Sequence, residues 1–132
     1  MLKTTVDPQG NIFTLNPNYN MRDRRDILYD LIHFHGRLND ILKEISQFTW
    51  DAETPVITMT DSDFRTVLEK CIEDIISVRD IEEWANALEC RDDIEFADKK
   101  IHDAIFDLAN PEINGVITKK GLYEIIRSLE LR

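Results

Sequence analysis

The chain has 132 residues, 26 acidic and 16 basic, a net charge of −10, 42% hydrophobic residues and four glycines. So much apolar content predicts a folded globule rather than a disordered acidic tail, and the length fits one domain over residues 1–132. No apolar run reaches the roughly eighteen residues of a membrane span, and the N-terminus lacks the apolar stretch of a secretory signal, which predicts a cytoplasmic protein.

Residues 1–19 contain three Asn, two Pro and the turn-like Asp7-Pro8-Gln9-Gly10 among Val6, Ile12, Phe13 and Leu15. They predict an extended or hairpin-like arm, leaving 20–132 as a helical body. Asn20 and Asp23 mark a helix start. From there Ile27, Leu31, Phe34/His35, Leu38, Ile41/Leu42, Ile45 and Phe48 recur at helical spacing, predicting one long helix over 21–48 with Gly36 as its weak point. Trp50 to Met59 is a linker in which Pro55 forbids helix and Val56-Ile57 forms a short extended piece.

Capping patterns predict three more helices in succession. Thr60/Asp63 precedes Phe64, Val67, Leu68, Cys71, Ile72 and Ile75. Ser77/Asp80 precedes Ile81, Trp84, Ala85 and Leu88, with Trp84 expected as a core anchor. Asp92/Glu95 precedes Ile94, Ala97, Ile101, Ala104, Ile105 and Leu108. Asn110-Pro111 stops that helix, and Thr118 caps a last one burying Leu122, Ile125, Ile126 and Leu129. The expected fold is all-α: one bundle of about five helices with an irregular N-terminal arm.

The charge is lopsided. Residues 51–98 hold fifteen acidic and four basic side chains (Arg65, Lys70, Arg79, Arg91), whereas the flanking segments are near neutral. Asp61, Asp63, Asp80, Glu82, Glu83, Asp92, Asp93 and Glu95 fall near predicted helix starts, where a carboxylate stabilises the helix dipole. Glu69, Glu73, Asp74, Glu89 and Asp98 have no such excuse, and Glu69–Glu73 is a like-charge i,i+4 pair. Glu82, Glu83, Asn86 and Glu89 share the polar side of one helix, and the loop Arg91-Asp92-Asp93 extends it. The candidate partner-binding set is therefore Glu69, Glu73, Asp74, Glu82, Glu83, Asn86, Glu89, Asp92 and Asp93, facing a basic protein.

Patterns that mimic catalytic or metal chemistry fall short of it. Asn110-Pro111-Glu112-Ile113-Asn114-Gly115 echoes a calcium loop, yet the twelfth position, which needs a bidentate Glu, is Gly121. His33 and His35, two apart in one helix, lie on different faces, His33 on the polar stripe and His35 at its apolar boundary. Asp30/His33 and Asp98/His102 are each spaced to share an ion, but a di-metal bundle needs a fuller ligand set. Cys71 and Cys90 lack CxxC spacing and read as buried free thiols. No nucleophile motif or phosphate-cradling loop is written. No enzyme, cofactor or metal is expected, and the charge disfavours direct nucleic-acid binding.

The run Ser77-Val78-Arg79-Asp80-Ile81-Glu82-Glu83-Trp84-Ala85-Asn86, followed by Asp92-Asp93-Ile94-Glu95-Phe96, Leu108-Ala109-Asn110-Pro111-Glu112-Ile113-Asn114-Gly115 and Thr118, resembles small acidic immunity proteins of bacterial polymorphic toxin and contact-dependent growth inhibition systems. The likeness spans residues 77–118. It implies a cytoplasmic antidote that binds the toxin domain of its own system, often a nuclease with a basic cleft. No individual binding residue carries over from it. The alternatives are a nucleic-acid mimic inhibiting a DNA-binding protein, and a small helical metal protein built on the two Asp/His pairs.

Overall fold

The structure, a computed structural model, describes residues 3–6, 12–15, 22–49 and 51–130. Asn20, Trp50 and the turn Asp7-Pro8-Gln9-Gly10 lie outside them. Lys3–Val6 (β1) and Ile12–Leu15 (β2) pair antiparallel, Lys3 opposite Leu15 and Val6 opposite Ile12, the hairpin expected of the arm. The rest of the described chain is mostly helical: Arg24–His33 (α1), Leu38–Ile45 (α2), Asp61–Ile72 (α3), Val78–Glu89 (α4), Lys99–Ala109 (α5), Pro111–Asn114 (α6) and Lys119–Glu130 (α7). Two three-residue strands, Ile57–Met59 (β3) and Ile94–Phe96 (β4), interrupt the helices.

The single helix expected over 21–48 is two helices. Phe34 ends α1 in the left-handed region at φ 51°, and Gly36 turns the chain at φ 93°, where a side chain would be strained. The carbonyls released by this break find donors from other elements. Trp84 Nε1 donates to Leu31 O at 2.6 Å, and Lys70 Nζ donates to His33 O and Phe34 O at 3.0 and 3.2 Å. A cation at a helix C-terminus also complements the dipole. Continuous apolar periodicity hid the break because both helices bury the same kind of face: Ile27, Leu28, Leu31 and Ile32 in α1, and Leu38, Ile41 and Ile45 in α2.

The third expected cap is also displaced. Asp92 and Glu95 do not open a helix; Ile94–Phe96 is β4, parallel to β3 with Ile57 opposite Ile94 and Met59 opposite Phe96. The helix starts at Lys99, where the Asp98 side chain accepts from Lys100 N–H at 2.8 Å. A parallel pair needs a long crossover, and α3 and α4 supply it. The other caps stand as read: Thr60/Asp63 and Ser77/Asp80 are reciprocal capping boxes, and Thr118 Oγ1 accepts from Gly121 N–H.

One core holds these elements. Phe64, Val67, Leu68 and Cys71 of α3 meet Ile81, Trp84, Ala85 and Leu88 of α4, with Ile101, Ile105 and Leu108 of α5 and Leu122, Ile126 and Leu129 of α7. The Trp84 ring is fully buried and stacks 6.0 Å from Phe64, the anchoring role expected of it. Ile75 lies past the end of α3 and is exposed; Asp74 there takes φ 64°.

Candidate functional site

The fifteen carboxylates of residues 51–98 divide by use. Several hold the fold. Asp63 and Asp80 accept from the backbone N–H groups of Thr60 and Ser77, and Asp98 caps α5. Glu95 accepts from the Thr58 hydroxyl across the β3–β4 pair.

Asp93 is the extreme case and corrects its place in the expected partner-binding set. Its side chain is 0% exposed and sits between two guanidinium groups. Arg91 donates through Nε to Oδ1 and through Nη2 to Oδ2, both at 2.9 Å. Arg24, from the first turn of α1, donates through Nε to Oδ2 at 3.0 Å. The Asp93 carbonyl accepts from Val56 and Ile57 N–H. Arg24 also reaches the carbonyls of Thr49 and Asp51 and lies over the Phe48 ring. Asp93 thus locks the start of α1, the linker and the β3–β4 pair together. A carboxylate removed from water needs such full pairing.

Other acids are spent on the surface. Asp74 pairs with Lys119 at 2.8 Å, fixing the end of α3 to the start of α7. Glu83 lies 3.8 Å from Arg79 in an exposed i,i+4 pair of small energetic weight. Arg22 bridges Glu44 and Asp30, both at 2.7 Å, and the hydrogen bonds it donates to Glu44 and then Asp30 hold its guanidinium still further above its ordinary pKa. Among the described residues Glu69, Glu73, Glu82, Glu89 and Asp92 have no ion-pair partner.

Members of the expected set line two different depressions. Glu69 and Glu73 line a groove between α3 and α7 together with Ile72, Tyr123, Ile126, Arg127 and Glu130. Glu83 and Asn86 instead line a depression between α4 and α2, with Leu42, Ile45, Ser46, Ala87 and Arg91. The α7 half of the first groove escaped sequence reasoning, since Glu130 and Tyr123 lie outside the acidic segment. Their i,i+7 spacing on one helix was the available signal.

The histidines depart from expectation. Because α1 ends at His33 and the chain reverses through Phe34, the His33 and His35 rings come within 5.2 Å of each other, and Tyr29 lies 4.1 Å from His33 on one side. His33 is the more covered of the two, with 17% of its side chain exposed against 52% for His35, the reverse of the expected order. His33 Nε2 meets Asp63 Oδ1 at 2.9 Å and Nδ1 meets Tyr29 O at 2.7 Å. Both ring nitrogens are therefore engaged by protein groups. Asp30 turns to Arg22 and His35 rather than His33, and His102 lies against Asp103 and the Phe96 ring while Asp98 caps its helix. Among the described residues no group of three His, Cys, Asp or Glu side chains is placed to hold a metal ion.

Cys71 is buried, and burial pushes its thiol pKa up. Cys90, expected to be buried, is exposed at the end of α4. Among the described residues no helix is long and apolar enough to cross a membrane. Compared with protein families, curated proteins and solved structures, the chain finds no match in any of the three.

Proposed function

We propose that this chain is a non-enzymatic, cytoplasmic binding protein of the immunity type. In this reading it neutralises a basic toxin domain by docking carboxylates of α3 and α4 on that domain's cationic surface. The observation that carries the proposal is a group of α3 and α4 carboxylates, with Asp92 just beyond α4, left over once caps and pairs are subtracted. Glu69, Glu73, Glu82, Glu89 and Asp92 stabilise no described neighbour by ion pairing, and Glu69 and Glu73 repel each other along α3. Charges kept at a cost to the fold serve encounter and specificity when the partner is of opposite sign. The resemblance of residues 77–118 to acidic immunity proteins supplies the class of partner.

The test is co-expression with the C-terminal domain of a large secreted protein encoded beside this gene. The expected result is protection of the cell and a complex whose association rate falls as salt rises. Charge reversal at Glu82, Glu83 and Glu89 slows association several-fold. Association equally fast at low and high salt overturns the electrostatic docking, and failure to bind or protect overturns the immunity reading.

A further inference from the structure

The groove between α3 and α7 is more enclosed than the depression between α4 and α2. Its floor is apolar: Ile126 is 6% exposed and Ile72 is partly buried. Tyr123 stands at its edge, 56% exposed, an aromatic ring of the kind that anchors protein interfaces. Its rim carries three carboxylates, Glu69, Glu73 and Glu130, against the single guanidinium of Arg127. The space measures about 480 Å³, and from Tyr123 to Glu130 it runs about 10 Å along α7, some two helical turns. The stripes that flank it, Glu69/Ile72/Glu73 and Tyr123/Ile126/Arg127/Glu130, follow the i, i+3, i+4, i+7 spacing by which one helix presents a face to another.

An apolar floor with an anionic rim has a definite complement. We infer that this groove seats a short amphipathic helix of the basic partner, its apolar side chains on Ile72, Ile126 and Tyr123 and its Lys or Arg side chains on Glu69, Glu73 and Glu130. The charge of the rim selects the occupant: an acidic helix meets three carboxylates, and a purely polar cationic segment leaves the floor uncovered. A second copy of this chain brings the same negative rim against itself, which like charges oppose. This inference rests on the reading of a basic protein partner and locates the contact within it.

Three synthetic peptides of equal length test it on the intact chain: a Leu/Lys amphipathic helix, an all-Lys chain and a Leu/Glu helix. Binding is followed by anisotropy and by backbone amide chemical shifts. The Leu/Lys peptide is expected to bind at least tenfold more tightly than either other peptide, with shifts concentrated at residues 69–73 and 123–130. The double variant Glu69→Lys/Glu73→Lys weakens it at least tenfold and Tyr123→Ser several-fold, while Glu53→Lys/Glu112→Lys, exposed and outside the groove, changes little. All these side chains face outward, and thermal unfolding confirms that each variant folds. Equal affinity for the all-Lys peptide, shifts spread over α4, or a dimer of this chain that Tyr123→Ser dissolves overturns the groove. Since the toxin-domain experiment uses a different ligand, the groove can fail while the immunity reading stands, and the reverse.

Discussion

Asp93 and Glu73 belong to one acidic segment and have opposite fates. Asp93 is sealed between Arg24 and Arg91, with its own backbone completing the β3 junction. Glu73 stands at the mouth of a groove with no ion-pair partner among the described residues. A count of charge along the chain weighs these two equally. Their surroundings do not: one carboxylate is an internal fastener whose loss takes the shared acceptor from two part-buried guanidinium groups, and the other is surplus to folding. The contrast teaches that a charge asymmetry is evidence for a binding face only after the acids used internally have been removed from it.

Substitutions can break or sharpen this contrast. The largest effect is expected at Asp93→Ala, which leaves Arg91 without its carboxylate and Arg24 with only its carbonyl acceptors, and should destabilise the fold by about 3–5 kcal/mol. Urea unfolding measures it, and a loss below about 1 kcal/mol, roughly a tenth of a typical domain's stability, would place the fastening elsewhere. Next comes Trp84→Phe, which keeps most of the buried ring but leaves the Leu31 carbonyl without its indole donor. About 1–3 kcal/mol should be lost, seen as a lower unfolding midpoint. Ser77→Ala removes one half of the α4 capping box and should cost about 1 kcal/mol, with the α4 amides showing faster hydrogen exchange. The smallest effect has the opposite sign. Glu73→Gln relieves repulsion with Glu69 and should leave stability unchanged or raise it by about 0.2–0.5 kcal/mol, while weakening the Leu/Lys peptide. If Glu73→Gln destabilised the protein as Asp93→Ala does, the division between fastening and surplus acids would collapse.

Much of the helical plan was legible in the sequence because caps are local chemistry. Thr60, Ser77 and Thr118 begin helices where their side chains reach a backbone N–H three residues on. Two features were not local. The break at Phe34–Gly36 depends on donors from Trp84 and Lys70, 53 and 36 residues distant, which no window of sequence contains. Strand β4 looked like helix because Ile94, Ala97 and Ile101 continue a helical period, whereas its pairing with Ile57–Met59 was decided across the chain. The alternation Ile57/Met59 and Ile94/Phe96 was the faint signal of it. At the surface, the sequence identified acidic side chains but not their company. Asp93 vanished inside, and Tyr123, Ile126 and Glu130 joined Glu69 and Glu73 from the far end of the chain.

The β3–β4 junction also governs the order of events during synthesis. Thr58 waits for Glu95, 37 positions later, and Arg24 for Asp93, 69 positions later. Until that stretch has left the ribosome, Arg24 lacks its carboxylate and β3 its partner strand, and the first half of the chain must persist as an unfinished collapse. A nascent chain stalled before residue 93 should therefore be readily digested by protease, and one long enough to expose residue 96 and α5 should abruptly resist it.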